Sequence, residues 1–464
     1  MITMLKKSPD SLVIVSAILL LFIILTWIVP AGEFDRADVN GRMVVVAGTY
    51  HKVDADPQGF WALFRAPLRG FESAADIIGF VLLVGGAFSI LTATGAIDAG
   101  LQQVLRFAEK NKRLKIWIIP LLMIIFSIGG ATFGMSEEVL VFILITIPLA
   151  RSMGYDNIVG ISIPFIGAGM GFAGAPFNPF TVGIAQGIAE ITPIFSGFEY
   201  RSFVWLIFTV SGILFVMWYA KRIEKEPSKS PIGFISAEFE HGEEVKELNL
   251  NGRRKVILLL FFASLAGIMI GAMKYDWYII ELAGLFVLLG VASAIIGGLS
   301  LSQTVKSFIR GSQDLLMAAL IIGFSKAILV VASDGKIIDT VLFSLSNAVG
   351  DFSPLIAAEA MFIFQGFINF FIPSGSGQAA ITMPLMAPLS DLLDVSRQTA
   401  VLSYQFGDGL FNLIIPTSGV TMGILEIAHI PYNVWLKWIA GFMLIMILIS
   451  MILISIPASG YYVW

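Results

Sequence analysis

Two stretches of this chain are apolar enough to lie within a lipid bilayer, yet both are densely interrupted by Gly, Pro, Ser and amide residues. The later one, Asn369–Gly423, is broken at Pro373-Ser374-Gly375-Ser376-Gly377-Gln378 and again from Gly407-Asp408-Gly409 through Asn412 to Pro416-Thr417-Ser418-Gly419. Inside hydrocarbon, backbone polar groups have no water to bond, so irregular backbone survives only where protein buries it or a water-filled cavity faces it. A shift of 240 residues (388 − 148) lays this stretch without a gap on Gly134–Gly183. Ser136 then meets Ser376, Pro148 meets Pro388, Leu149 meets Leu389, Gly167 meets Gly407 and Gly169 meets Gly409. Pro176 meets Pro416, Thr181 meets Thr421, Gly183 meets Gly423 and Ile184 meets Ile424. Shared Gly-rich composition would scatter a few matches; it would not hold Pro, Gly, Ser and Thr in one register.

Paired hydrophobic segments, interrupted by Gly and Pro at corresponding places in two halves, mark the binding site of a secondary transporter. Composition agrees. The chain has 464 residues, of which 57% are hydrophobic and 13% charged, with a mean hydropathy of +0.87. Soluble domains carry about 25% charged residues, so this is an all-α polytopic membrane protein. A net charge of −4 with no basic patch gives no sign of nucleic-acid binding. The absence of cysteine excludes disulfides, thiol catalysis and iron–sulfur ligation, and His51, His241 and His429 form no zinc motif.

A membrane-spanning helix needs about 20 mainly apolar residues. Candidates are 12–31, 74–95, 157–187, 199–220, 255–273, 278–299, 315–333, 396–428 and 434–456. The first, behind Lys6-Lys7, is longer than the apolar core of a signal peptide and is read as a retained helix. Stretches 116–153 and 354–393 are each split by their Ser-containing break and are read as re-entrant hairpins, although hydropathy alone also allows two spans each. Lys- and Arg-rich loops stay cytoplasmic. With hairpins, Lys6-Lys7 and the loops Arg106–Lys115, Lys221–Lys255 and Lys306–Arg310 all fall inside, and Asp334, Asp339, Asp351, Asp391 and Asp394 fall outside. Three spans per unit is an odd number, so the copies are inverted, giving about nine transmembrane helices, two hairpins and an external C-terminus.

The expected organisation follows. Residues 1–73 hold the first helix and an external loop with a short β-like run at Met43–Val46. Repeat 1 is 74–222 (hairpin 116–153, broken helix 157–187), 223–254 is a polar cytoplasmic linker, and 255–314 holds further helices of the scaffold. Repeat 2 is 315–456 (hairpin 354–393, broken helix 396–428), and 457–464 is a tail. Arg69-Gly70 and Arg310-Gly311, 241 apart, extend the pairing with one gap. Amphipathic stretches at Ala96–Phe107, Gln303–Gln313 and Lys336–Ala348 are expected along the interface.

At each hairpin tip one helix ends and another begins, so the second presents free N–H groups and a positive dipole end to an anion or a carboxylate. The substrate-binding candidates are Ser136, Glu137, Asn178, Thr181, Ser374, Ser376, Gly377, Gln378, Asn412, Thr417 and Ser418. Carbonyls of the unwound turns, with side-chain oxygens, suit Na⁺; those candidates are Ser136, Gly169, Asn178, Ser376, Gly407, Asp408 and Asn412. Close helix packing explains the glycines but not Asn178, Asp408 and Asn412. Ionisable groups within a membrane are costly and mark function. Glu137 and Glu138 stand where repeat 2 has Gly377 and Gln378, and Asp408 stands opposite Ala168. Such carboxylates hold a coupling cation, carry a proton or meet a substrate ammonium, with Lys326 a candidate counter-ion. Glu359, Gln365 and Asn369 share the first arm of hairpin 2 and are candidates to line the cavity; Glu426 and His429, three apart, read as an interfacial pair.

The pairing of GMSEEVL…IPLA and PSGSGQAAITMPLMAP with GAGMGFAGAPFNPFTVG and FGDGLFNLIIPTSGVTMG resembles the ion transporter superfamily. Within it the chain is most similar to the C4-dicarboxylate anaerobic carrier group, the DcuC-like and YfcC-like proteins, some of whose relatives are thought to exchange arginine and ornithine. The resemblance covers nearly the whole chain. It implies a homodimeric carrier of the bacterial cytoplasmic (inner) membrane with its N-terminus inside, working as an elevator: a scaffold stays still while hairpins and broken helices move with the substrate. It implies no catalytic residue and no cofactor beyond a coupling Na⁺. Better-known dicarboxylate carriers of the superfamily have Ser-Asn-Thr at both tips; here the tips read Ser136-Glu137-Glu138 and Ser376-Gly377-Gln378. Carboxylates beside the pocket disfavour a dianion unless protons or Na⁺ neutralise them, and suit an amino acid or cationic substrate. The expected function is cation-coupled (Na⁺ or H⁺) transport of a C4-dicarboxylate or an amino acid, by symport or antiport. The alternatives are an arginine/ornithine-type exchanger without ion coupling, and a channel, which two closed hairpins argue against. An intramembrane enzyme is the third alternative, which the lack of any Ser/Lys, HExxH or paired-Asp protease motif argues against.

Overall fold

The computed structural model describes residues 11–39, 42–100, 102–103, 112–233, 249–275, 277, 279–349 and 352–464. Lys6-Lys7, most of the Arg106–Lys115 loop, residues 234–248 of the linker with His241, and Asp351 lie outside the described residues. Seven described helices are long and apolar enough to cross a membrane. They are α1 (Ser11–Ile28), α3 (Ala75–Ala93), α8 (Phe198–Lys225), α10 (Ile279–Gly297), α12 (Leu316–Asp334), α14 (Pro354–Phe371) and α18 (Tyr432–Ala458). Between them lie α2 (Ala62–Ser73), α4 (Lys112–Phe133), α5 (Val139–Ser152), α6 (Asn157–Ala173), α7 (Ile184–Ile188), α9 (Gly252–Lys274), α11 (Leu301–Asp314), α13 (Ile338–Val349), α15 (Gly375–Leu392), α16 (Arg397–Phe411) and α17 (Gly419–Ile427).

Each Ser-containing break interrupts a helix as its Gly and Pro content requires. The helix α4 stops before Gly134 and α5 starts after Glu138; α14 stops at Phe371 and α15 starts at Gly375. The broken helices divide into α6 and α7, joined through a π turn at Pro179–Gly183, and into α16 and α17. Their starts are capped at equivalent positions, since Asp156 accepts from Val159 N (3.0 Å) and Ser396 accepts from Thr399 N (3.2 Å). Asn178 and Ser418, also 240 apart, cap the second halves by accepting from Phe180 N (2.9 Å) and Thr421 N (3.3 Å). Such caps satisfy N–H groups that an N-terminal turn leaves without partners.

The repeat is legible in the packing. The broken helices cross with Gly409 against Ala173 and Gly169 against Leu413, and 413 is 240 beyond 173. An added Cβ at Gly409 would stand 2.4 Å from the Ala173 Cα, so only glycine fits that approach. Reciprocity continues outward: α2 packs on α12 while α11 packs on α3, and α1 packs on α12 while α10 packs on α3. The correspondence therefore reaches back beyond residues 74 and 315, to α1 and α10. It also reaches the rims. Arg151 Nε donates to Asn157 Oδ1 (2.7 Å), whose Nδ2 donates to the Ala428 carbonyl (2.9 Å). At the positions matching Asn157 and Arg151, Arg397 donates to Asp391 (2.8 Å), and it also donates to the Ala189 carbonyl (2.9 Å), one residue beyond the position matching Ala428.

The β-like run is a strand, Arg42–Val45, paired antiparallel with Arg36–Val39. The segment around it is tied to α13: Phe34 N and Arg36 both donate to Asp339 (each 2.9 Å to Oδ2), and Tyr50 stacks on Phe343 at 4.1 Å. Glu426 and His429 are joined through backbone, His429 N donating to the Glu426 carbonyl at 3.0 Å.

Candidate functional site

The two hairpin tips present different chemistry from similar breaks. In tip 1, Glu138 is buried and its Oε2 accepts from Ser136 N (3.0 Å), which folds the turn back on itself. Glu137, beside it, is only half-buried and turns the other way. In tip 2, Ser374 is the N-cap of α15 but its side chain makes no capping bond, so the first N–H groups of that helix stay available.

Both tips and both breaks converge on one cavity of about 230 Å³. Tip 1 contributes Gly134, Ser136 and Glu137, and tip 2 contributes Pro373, Ser374, Gly375 and Ser376. The breaks contribute Phe172, Phe180, Thr181, Asn412, Thr417, Ser418 and Gly419. Eight of the eleven substrate-site residues expected from the sequence therefore line one wall or another: Ser136, Glu137, Thr181, Ser374, Ser376, Asn412, Thr417 and Ser418. The other three do not. Gly377 and Gln378 have rotated away along α15, and the Gln378 amide donates to the Gln365 carbonyl (2.9 Å) and Oε1 (2.8 Å). Asn178 lies just behind the tip, its amide 2.9 Å from where a Cβ on Gly134 would stand.

A third wall holds Lys326, expected from the sequence as a counter-ion, with three residues the sequence reading missed. Ser73 and Asp76 flank the junction of α2 and α3 at Ala74, and Ser325 and Lys326 come from the middle of α12; all four line the cavity. Asp76 is the only charged residue of α3, and that isolation in an apolar run is the signal that could have found it. The result is a polar pocket with two carboxylates and one ammonium. Glu137, Asp76 and Lys326 face the same cavity. The Lys326 ammonium is half-buried and makes no hydrogen bond or ion pair among the described residues.

Behind tip 2 lies a second polar cluster. Asp408 is fully buried; its Oδ1 accepts from Asn412 Nδ2 (3.1 Å) and its Oδ2 has no partner among the described residues. That oxygen is 2.9 Å from where a Cβ on Gly375 would stand, and Thr181 and Phe172 close around the same point. Thr181 Oγ1, Asn369 Oδ1 and Gln405 Oε1 are also buried without partners among the described residues. Asn369 donates to the Asp408 carbonyl (2.9 Å) and Gln405 to the Phe172 carbonyl (2.5 Å). Buried polar atoms are ordinarily bonded. Of the other residues expected at Na⁺, Ser136 and Ser376 face the cavity, Gly169 packs on Leu413 and Gly407 packs on Gln365.

Comparisons with known sequences agree with a transporter. The profile of the family described as "C4-dicarboxylate anaerobic carrier" matches residues 8–458. A protein of Escherichia coli K12 described as "Putative basic amino acid antiporter YfcC" is 36% identical over 495 aligned residues, covering 98% of this chain and 97% of its own. An uncharacterized protein of Haemophilus influenzae is 27% identical over 98% of this chain and 97% of its own. Among solved structures, the YdaH transporter of Alcanivorax borkumensis aligns over 98% of this chain and 99% of its own, with a TM-score of 0.45 at 15% identity.

Proposed function

The chain belongs to the C4-dicarboxylate anaerobic carrier family of membrane transporters, and within that family we propose that it carries a cationic amino acid. The observation that carries this reading is the pair of carboxylates, Glu137 and Asp76, on the wall of a polar cavity between the hairpin tips. A dianion in that pocket would face two like charges in a medium of low dielectric constant, whereas an amino acid with a second amino group meets both. Its α-carboxylate is placed at the first turn of α15, where Ser374, Gly375 and Ser376 line the cavity and the N–H groups and helix dipole favour an anion. The description of the E. coli relative as a basic amino acid antiporter supports the same substrate class.

Coupling is assigned to the Asp408 cluster, which holds Na⁺ or a proton behind tip 2 while substrate fills the cavity in front. Because Gly375 separates Asp408 from the cavity, the occupancy of one side bears directly on the shape of the other. The transport domain then comprises the hairpins and broken helices, moving against a scaffold within a homodimer in the bacterial cytoplasmic membrane. A C4-dicarboxylate is the second reading. It is favoured by the family's description and by Lys326, and it requires Glu137 and Asp76 to be neutralised by bound cations.

Uptake into proteoliposomes distinguishes them. Labelled arginine or ornithine is expected to accumulate against a preloaded amino acid or an imposed Na⁺ or proton gradient. Accumulation of succinate or fumarate, with no response to arginine or ornithine, overturns the assignment.

A further inference from the structure

Lys326 is the one cation among the described residues that line the cavity, and it is paired with neither of the two acids there. Packing along one face of α12 sets its place. Ala318, Ile322 and Lys326 are four residues apart and share that face. A Cβ on Gly423 would stand 3.7 Å from the Ala318 Cβ, and one on Gly419 would stand 3.2 Å from the Ile322 Cα. The helices α12 and α17 therefore run antiparallel. Lys326, four residues on at 1.5 Å each, lies about 6 Å past the start of α17. That turn carries it over the break, where Thr417 and Ser418 line the same cavity.

A second packing device holds α2 to α12. A Cβ on Gly70 would stand 2.2 Å from the Gly323 carbonyl oxygen and 2.6 Å from Ala327 N, so only glycine allows that approach. Ser73, on the same helix, and Asp76, three residues further, reach the cavity from there. The wall thus carries two negative charges and one positive: Asp76, Glu137 and Lys326. A basic amino acid carries the inverse set, two cationic groups and one carboxylate. A dicarboxylate would leave both acids facing like charge. A diamine would leave Lys326 facing like charge, and such repulsion is strong where water is scarce. Ionised groups in a membrane pair or mark a function; the partner that Lys326 lacks is the substrate's carboxylate.

We infer that Lys326 is a specificity-determining residue: its ammonium, on a flexible four-carbon stem, holds the substrate's α-carboxylate together with the first turn of α15. It thereby selects basic amino acids over the diamines that differ from them only by loss of that carboxylate. The inference rests on the proposed cationic amino acid class and sharpens it, because Asp76 and Glu137 alone would favour the diamine.

The test compares arginine with agmatine, its decarboxylated form, and ornithine with 1,4-diaminobutane. The readout is the concentration giving half-maximal thermal stabilisation of the full-length purified protein. The native protein is expected to bind each amino acid at least about tenfold more tightly than its diamine, the range of one charge-assisted hydrogen bond. Lys326→Met should weaken arginine by a similar factor while agmatine binds as well as before or better, and Lys326→Arg should keep the native preference. Equal binding of each pair by the native protein overturns the inference. So does a preference that survives Lys326→Met, or a loss of both compounds by the same factor, which marks a structural lysine; arginine binding by the native protein leaves the substrate class standing in those cases. Stabilisation by succinate or fumarate with no response to amino acid or diamine overturns the substrate class, and this assignment with it.

Discussion

Repeat 1 and repeat 2 share a backbone and differ in where they keep acid. Repeat 1 places Glu137 at its hairpin tip, facing the cavity, and has Ala168 in its broken helix. Repeat 2 has Gly377 and Gln378 at the corresponding tip positions and buries Asp408 in its broken helix. Gly169 and Gly409 meanwhile do the same work at the crossing, each admitting the residue at the equivalent position of the other repeat. Packing therefore constrains the residues that the repeats share, and charge varies where packing permits. On the proposed reading, repeat 1 supplies recognition of substrate charge and repeat 2 supplies the coupling ion.

Asp408→Ala should have the largest effect. Its Oδ2 is buried and has no partner among the described residues, so a neutral side chain removes the one acid of α16. Transport is expected to fall by about 100-fold or more, equivalent to about 2.7 kcal/mol, with the protein still monodisperse by size exclusion. Retained transport with unchanged ion dependence would end the division of labour between the repeats. Glu137→Gln should come next, raising the apparent KM for arginine or ornithine by about tenfold to 100-fold, as expected for a lost charge-assisted contact. Moving the acid across the repeat, with Glu137→Gln and Gly377→Glu together, should not restore affinity, because position 377 does not line the cavity. Rescue by that double variant would mean that the two tips are interchangeable.

A third prediction concerns packing alone. Gly409→Ala drives a Cβ against the Ala173 backbone, whereas Gly169→Ala meets the end of the flexible Leu413 side chain at 2.7 Å. The first should cost about 1–3 kcal/mol, in the range of overpacked cores, and the second clearly less; thermal unfolding of both variants ranks them. The smallest effect is expected at the rim. Arg397→Gln removes ion pairs to Asp391 (2.8 Å) and Glu190 (3.0 Å), both exposed acids, and should cost no more than about 1 kcal/mol, vanishing at high salt.

The breaks were legible because Gly, Pro and capping residues at membrane depth impose irregular backbone, which hydrocarbon does not tolerate without protein or water around it. Ser136, Thr181, Ser374 and Asn412 follow from that argument and all reach the cavity. What the residue order did not supply was direction. The tip of α15 turns by about 100° per residue at 3.6 residues per turn, so Ser374 to Ser376 face the cavity and Gln378 faces Gln365. Asn178 is directed in part to its own helix start, through the bond from Phe180 N. Asp76 escaped notice for a different physical reason. The α2 segment, with Arg65, Pro67 and Arg69, falls in the stretch read as following an external loop, so the junction at Ala74 does not announce itself as a third break. Lys326 was visible as a charge in an apolar run; its place on the same wall as Ser73 and Asp76 required the packing of α2 on α12.

The most direct test of an acidic recognition site in repeat 1 is ligand-induced thermal stabilisation of the purified protein and its Glu137→Gln variant. Arginine, ornithine, neutral amino acids, succinate, fumarate and malate would be compared with and without Na⁺, since a ligand that binds only the folded state raises its apparent stability. Stabilisation by arginine or ornithine that is lost in Glu137→Gln is the predicted result. Stabilisation by a dicarboxylate alone, unaffected or improved by Glu137→Gln, would contradict it.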